Sequence, residues 1–532
     1  MQSASAERCS RVEQGGGAPS LRAPFRAACS PAALVGLTLV LGTGWLLRLL
    51  LLTGPVGSDD TRYLAFADHI VSLRPFVELD HAAGRLLFLV LIGIPYKLGG
   101  PPLCAALANV LYSSLTDLLV VGFCYRRLGI HAALVAAVAM AFNAINVLFA
   151  GTILPDTTAA LFLTSAVVVF WEAQGEEARG RRLRRIALSG ALACLAYMCK
   201  DPGILFLPVG AALLFLAPKE RSWHERLLGP AAFAGAFAAV FFLDGAVYWL
   251  YTGQFTYKML ATAACHNEGQ TALSAAEHLS QGVSNLRMVL SKWSLGGMLL
   301  PLLVGVPALA AVGVVRRGWL VFSAAGLFFL AYSIFGTSSF TRLLPLPFQP
   351  RYLQPVIPLV AISLAALADR LVTATGMKRA WVLPACLGAL LSVHDFRLVR
   401  EWSGTLYFSP TMKSLRTAVE LLGHEGRPVF VDSYLLMHSR PFLAPETHRL
   451  LQPLPAEGPL PVGFYVIGIP EYAGLPAERL AEVAKMKVRL RLDLDWRELN
   501  RFRQLRPRGG QPLVVYEKLP AAQPSVEGDT PP

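Results

Sequence analysis

Apolar blocks of membrane-spanning length alternate with short polar connections along this chain, and that alternation limits what it can fold into more than any other feature. The blocks fall at about 31–53, 103–124, 131–150, 157–173, 186–199, 203–217, 230–251, 293–315, 318–335, 352–370 and 380–394. About 20 apolar residues in a helix cross a hydrocarbon core. Several blocks are shorter than that, yet each is bounded by Gly, Pro or charge. Over 532 residues the chain is 54% hydrophobic and 16% charged, with a mean hydropathy of +0.49. A soluble protein of this size cannot hide that much apolar surface, so the chain reads as a polytopic α-helical membrane protein with the bilayer as its first partner.

A net charge of +13 would suggest nucleic acid in a soluble protein. Here the Lys and Arg sit in clusters between apolar blocks, where they act as topology signals, and no nucleic-acid partner is expected. The eight Cys are scattered singly with no C-x-x-C pair, which predicts neither a disulfide framework nor a zinc site. Residues 1–30, rich in Ser, Gly, Ala and Arg, read as a disordered cytoplasmic N-terminus. The block that follows is too long for a signal-peptide core and lacks a small-residue cleavage site, so it reads as a retained first span.

The basic clusters lie at Arg126-Arg127, Arg179 to Arg185, Lys219 to Arg226, Arg316-Arg317 and Lys378-Arg379. All can be cytoplasmic if the segment GRLLFLVLIGIPYKL, residues 84–98, does not cross but forms a juxtamembrane or re-entrant element. The result is about 11 spans, with the N-terminus inside and the C-terminus outside. The loops lacking basic clusters (54–102, 151–156, 200–202, 252–292 and 336–351) then share the outer face. They carry Asp59, Asp60, Asp80, His81, Arg85, Asp156, Lys200, Asp201, His266, Glu268 and Arg351. A transporter is expected to place ionisable residues mid-span, and Asp244 alone is read that way.

From about residue 396 the apolar runs shorten and charge rises. RPVFVDSYLL, VGFYVIGIP and QPLVVYEKL read as short strands, and PTMKSLRTAVELLGHEG and PAERLAEVAKM as helices. Residues 396–520 are therefore expected to form a small α/β domain on the outer side, followed by a disordered tail, 521–532. The transmembrane domain is 31–395, with 54–102 as its first outer loop.

The stretch SDDTRY, residues 58–63, places two carboxylates at a membrane surface. Such a pair can deprotonate a nucleophile or hold a divalent cation. By itself the stretch reads first as a helix start, with acids in the first turn. Lys200 and Arg351 each sit at a span end, where a cation can snorkel to the interface. Asp156, after Pro155, reads as an ordinary helix N-cap residue, and Arg85 can anchor its segment at the headgroups. His81, His266 and Glu268 lie on outer loops, where CHNEG could touch an acceptor or a metal.

Six elements in order resemble one family. They are the Asp-acid-x-x-Tyr of SDDTRY, HAAGRLLFLVLIGIPYKLGG, YRRLG, ILPDTTAALFL, CKDPGILFLPVG and QPRYLQPVIP. Together they resemble GT-C glycosyltransferases of the dolichyl-phosphate-mannose protein mannosyltransferase-like family 39 group, over residues 33–370. Tyr125 stands where the family has a leading Gly, and Asp60 where it usually has Glu. The resemblance implies a GT-C bundle with juxtamembrane helices in the first outer loop. It also implies transfer of a sugar from a polyprenyl-phosphate donor to a glycan, lipid or protein acceptor outside the cytoplasmic membrane. By position in the motifs, Asp59 is the implied general base, Asp60 the second acid and Asp156 the Pro-Asp acid. Lys200 and Arg351, with Arg85, are implied donor-phosphate ligands. Tyr63, His81, Asp201, His266, Glu268 and Tyr352 are candidate acceptor or donor contacts. If a divalent metal takes part, Asp59, Asp60 and Asp156 are its expected ligands.

The chemistry agrees with these assignments. A sugar phosphodiester leaves with negative charge that aimed cations stabilise, and a carboxylate takes the acceptor proton. Attack opposite the leaving phosphate inverts the anomeric carbon. Two other readings stand beside this one: a lipid-linked oligosaccharide ligase or polymerase, and a transporter or flippase. The expected location is a bacterial inner membrane with the site facing the periplasm.

Overall fold

A computed structural model describes residues 31–52, 59–75, 79–99, 103–215, 223–267, 273–292, 307, 319–336, 349–377, 379–403, 408–439, 442–468, 475–492 and 513–519. The expected disordered ends, 1–30 and 521–532, and nearly all of the expected span 293–315 lie outside these residues.

Helices dominate. In order they are α1 (Pro31–Leu50), α2 (Asp59–Val71), α3 (Leu86–Gly99), α4 (Leu103–Leu128), α5 (Ile130–Ala141), α6 (Ala144–Phe149), α7 (Pro155–Gln174), α8 (Arg179–Cys199), α9 (Phe206–Phe215) and α10 (Trp223–Thr252). They continue with α11 (Tyr257–Asn267), α12 (Ala275–Lys292), α13 (Leu320–Phe335), α14 (Ile357–Thr375) and α15 (Val382–Ser403). Among the described residues, five helical stretches are long and apolar enough to cross a membrane: α1, α4, α7, α14 and Arg226–Thr252 of α10. Shorter apolar helices accompany them, among them α3, α5 and α13. The structure thus supports a bundle of spans without fixing the number at 11.

The bundle is inside out relative to a soluble protein. On α4, Leu107, Leu111, Leu115 and Leu118 form an exposed stripe, while Asn109, Ser113, Thr116 and Asp117 are buried on the opposite side. Spacing by three and four residues puts those leucines on one helical face. In lipid that face is satisfied, and the polar residues find partners between helices. Small residues let the helices approach closely. An added Cβ at Gly190 on α8 would lie 2.1 Å from the Phe233 carbonyl oxygen on α10, so α8 and α10 touch backbone to backbone. Alanine-rich α5 packs against α1, α4, α14 and α15.

Three sequence expectations need correction. The block 131–150 is not one span: it breaks into α5 and α6, where the Asn143 side chain accepts hydrogen bonds from the backbone N–H groups of Ile145 and Asn146 at 3.1 and 3.2 Å. That is an N-cap, and a new helix starts there. The expected loop 252–292 contains α11 and α12. Asp244 is not the only buried acid within a long apolar helix. Asp117, in the middle of α4, pairs with Arg48 of α1, and both are fully buried.

Beyond α15 the chain forms a five-stranded sheet. Its strands are β1 (Val429–Val431), β2 (Leu451–Pro453), β3 (Gly463–Ile467), β4 (Lys487–Leu492) and β5 (Leu513–Lys518), in the order β2-β1-β3-β5-β4. β1 runs parallel to β2 and β3, whereas β5 runs antiparallel to β3 and β4. Residues alternate between the two faces. Val429, Val431, Phe464, Val466 and Val515 pack with Leu415 and Val419 of α16 (Phe408–Leu422). Phe430 and Tyr465 pack on the other face with Val483 of a later helix, Ala477–Ala484. Residue 396, read as the start of this unit, falls inside α15. Helix α17 (Ser433–Ser439) follows β1 directly.

Candidate active site

The first turn of α2 carries Asp59 and Asp60, acids at the end of a helix where the macrodipole favours negative charge. A hydrogen bond of 3.2 Å runs from Arg351 Nη2 to Asp59 Oδ2, with the two side chains 15% and 33% exposed. Asp60 is fully buried on the same turn. Arg351 lies in the short 3-10 turn Pro350–Leu353 that leads into α14.

Asp156 enters from a different direction. Pro155 opens α7 and Asp156 sits in its first turn, an arrangement that suits proline because the first N–H has no helical partner. The turn before it is clamped by Asn109 of α4, whose amide donates to the carbonyls of Thr152 and Leu154 at 2.5 and 2.9 Å. Asp156 accepts from the ammonium of Lys200, the residue that ends α8, and the pair is buried. Lys200 Nζ also stands 3.9 Å from the centre of the Tyr352 ring, and the Arg351 guanidinium carbon 5.6 Å from it. Aromatic faces attract cations, so Tyr352 joins the two ion pairs into one row: Asp59, Arg351, Tyr352, Lys200, Asp156.

Arg85 flanks this row, 5.1 Å from the centre of the Tyr63 ring, with no ion pair among the described residues. Beside it, His81 lies 3.5 Å from Asp80. Burial, helped by Arg62, pulls the His81 pKa below its ordinary value against the opposing pull of Asp59, Asp80 and Asp201. Burial raises the Asp59 pKa, yet Arg351, His81 and Arg85 outweigh it and hold the carboxyl below its usual value. Lys200 is pushed down to about 8, by burial first and then by Arg351 and Arg85, against the pull of Asp156. Arg351 stays firmly protonated, since Asp156 and Asp59 more than offset its burial.

Asp201 pairs with Lys258 at 3.7 Å. Lys258 stands 3.6 Å from the Tyr197 ring centre and donates to the Tyr197 carbonyl. The structure therefore brings together Asp59, Tyr63, His81, Arg85, Asp156, Lys200, Asp201, Arg351 and Tyr352. The side chain of His266, and Glu268 altogether, lie outside the described residues. Sequence reasoning missed Arg62, which binds Asp80 with Nε at 3.0 Å, and Lys258. Lys258 sits on the same expected outer loop as His266, and that placement was the available signal. Tyr257 supports the turn, accepting from the Asp80 N–H at 3.3 Å.

Among the described residues no three His, Cys, Asp or Glu side chains cluster as a metal site would require. Asp59 and Asp156 each face a cation instead. That donor set does not fit the expected three-carboxylate metal site, and no step below runs through a metal. A small cavity lined by Arg179, Arg182, Leu214 and Gly229 lies at the other end of α8, about 30 Å along the helix from Lys200, too far to share its chemistry.

The family model for dolichyl-phosphate-mannose-protein mannosyltransferase matches residues 78–261, a stretch that includes His81, Arg85, Asp156, Lys200, Asp201 and Lys258. Over 92% of its length the chain also superimposes on 98% of ArnT from Cupriavidus metallidurans in the apo state, with a TM-score of 0.55 and 15% identity. The chain has the fold of these GT-C glycosyltransferases. The same ArnT bound to undecaprenyl phosphate gives a TM-score of 0.56 at 14% identity, with the same coverage. An oligosaccharyltransferase from Archaeoglobus fulgidus matches more loosely, with a TM-score of 0.47 and 13% identity over 76% of this chain and 63% of that one. No curated protein matches by sequence. At such identities the structural likeness establishes the GT-C fold, and the chemistry has to come from the site.

Proposed function

We propose that this GT-C protein transfers a sugar from a polyprenyl-phosphate donor to an acceptor at the outer face of a bacterial cytoplasmic membrane, with inversion at the anomeric carbon. One observation carries this reading. Arg351 donates a single hydrogen bond, to Asp59, and the rest of its guanidinium has no acceptor among the described residues. A fork with free donors, beside Lys200 and Arg85, suits a phosphate, which guanidinium groups bind bidentately.

Asp59 remains ionised far below neutral pH, and its carboxylate takes the acceptor hydroxyl proton. The acceptor oxygen bonds to the anomeric carbon, and the bond from that carbon to the phosphate oxygen breaks. Polyprenyl phosphate leaves with the electron pair. Arg351, Lys200 and Arg85 stabilise that charge as it develops, in a buried setting where each cation counts for more than in water. Asp156 holds Lys200 in place. Asp60, buried behind Asp59, shapes the first turn of α2. The ArnT likeness supports a polyprenyl-phosphate carrier, since that protein has been solved bound to undecaprenyl phosphate.

The test is release of polyprenyl phosphate by the purified full chain from a panel of undecaprenyl-phosphate sugars. Turnover of at least one donor, lost in Arg351→Ala, is expected. No turnover of any donor, alongside transfer from a lipid-linked oligosaccharide, would replace this reading with the ligase one.

A further inference from the structure

The C-terminal sheet unit reaches into the first turn of α2. Thr61 Oγ1 and His438 Nδ1 are 2.5 Å apart, across 377 positions of sequence. Both side chains are almost wholly buried, at 3% and 5% exposed. Thr61 follows Asp59 and Asp60 in the same helical turn, where successive side chains point about 100° apart. Asp59 can thus meet Arg351 while Thr61 meets the sheet unit.

His438 is itself held firmly. It sits near the end of α17, and the start of α17 is fixed by Asp432, the residue after β1. One Asp432 carboxylate oxygen accepts from the Leu435 N–H at 2.8 Å and the other from the Gly468 N–H, at the end of β3, at 2.7 Å. The His438 ring packs at 4.4 Å on Tyr434. Sheet, cap, helix and imidazole form a continuous strut that ends beside the two acids.

We propose that His438 is a positioning residue for Asp59, by which the C-terminal unit sets the direction in which the first turn of α2 presents its carboxylates. This rests on the glycosyl-transfer reading of the site. His438 touches no reacting atom in this account, so its loss is expected to act on turnover and not on donor binding. A displacement near 1 Å at a reacting group costs up to about a hundredfold in rate, and a partial loosening is expected to cost about tenfold.

The experiment uses the full chain in lipid, with rates normalised to folded protein. His438→Ala and Thr61→Val each lower kcat about tenfold, with the donor KM within about twofold. The double variant is no worse than either single one, because both remove the same contact. His438→Gln and Thr61→Ser, which keep a polar group within reach, recover part of the loss. Hydrogen exchange gives a readout apart from activity: amides of residues 61–65 exchange faster in His438→Ala than in wild type. If His438→Ala accumulates poorly, Thr61→Val probes the same contact from the other side. Unchanged kcat, additive losses in the double variant, or unchanged exchange would each overturn the proposal. A wild-type protein inactive on every donor, yet with faster exchange in the variant, would count against the glycosyl-transfer reading and leave the strut standing.

Discussion

Two of the aspartate–arginine pairs in this molecule, one fully buried and one partly, are built differently. Between α1 and α4, Arg48 places both terminal nitrogens on Asp117, at 2.6 and 3.1 Å, and one of them also reaches the Met140 carbonyl at 3.2 Å. Trp45 adds a fourth contact, at 3.2 Å. Neither charge is exposed at all. Between α2 and the turn before α14, Arg351 gives Asp59 a single bond at 3.2 Å, and both side chains keep some exposure. Among the described residues Nε is without a partner in both, but the first pair occupies both terminal guanidinium nitrogens and the second only one. The fuller pair holds helices together, whereas the sparser one retains charge to apply to a ligand.

The sharpest way to break this contrast is to remove Asp117. Leaving a buried guanidinium without its partner costs about 3–5 kcal/mol. Asp117→Ala should therefore cut the yield and thermal stability of folded protein, while the molecules that do fold turn over at the normal rate. A stable but inactive Asp117→Ala protein would move this pair into the active site. Next in size, Arg351→Ala should slow turnover by about 10²-fold with yield unchanged, and Arg351→Lys should recover part, because a point charge replaces only some of the fork. Loss of folded protein in Arg351→Ala would mean that the two pairs do the same structural job.

The pH profile sharpens the comparison further. Lys200 is charged below about 8, so its help to the leaving phosphate is present at neutral pH and lost as pH rises through that value. Turnover should fall above about pH 8, and Lys200→Arg, charged throughout, should flatten that fall. Asp59 lies below the ordinary carboxylate range, so it adds no acid limb above about pH 4. An alkaline limb unchanged in Lys200→Arg would assign it to another group. The smallest effect is expected at Lys258, which pairs with a partly exposed Asp201. Lys258→Ala should reduce turnover by about threefold, the scale of a single modest ion-pair contact. A loss as large as that of Arg351→Ala would place Lys258 among the phosphate ligands.

Sequence pattern carried the helical bundle because lipid imposes it: apolar length and basic flanks are local signals that need no partner. The strands of the C-terminal sheet were legible as short runs of Val, Phe, Tyr and Ile at Val429 and Gly463, and as an alternating run at Leu513. β2 was missed because Leu451-Gln452-Pro453 lacks β-branched and aromatic residues and ends in Pro, and β4 because its mostly exposed face, Lys487 to Leu492, reads as polar. In the site, Asp59, Asp156, Lys200 and Arg351 stood out because each sits at a helix end in a recognisable motif. Tyr352 was named as a candidate contact, but that its ring would bridge Arg351 and Lys200, or that His438 would reach Thr61, was not legible. Those contacts link segments far apart in sequence, and only tertiary packing decides them. Arg48 and Asp117 went unremarked for the same reason: each is one charge in an apolar run until the other is found opposite it.

The central claim is that Asp59 is the base of a sugar transfer. It is tested most directly by following a radiolabelled undecaprenyl-phosphate sugar with wild type and Asp59→Asn reconstituted side by side. Transfer by the wild type that falls by about 10²–10⁴-fold in the variant, at equal amounts of folded protein, is the predicted result. Equal transfer by both would leave Asp59 as a helix-start residue and contradict the account.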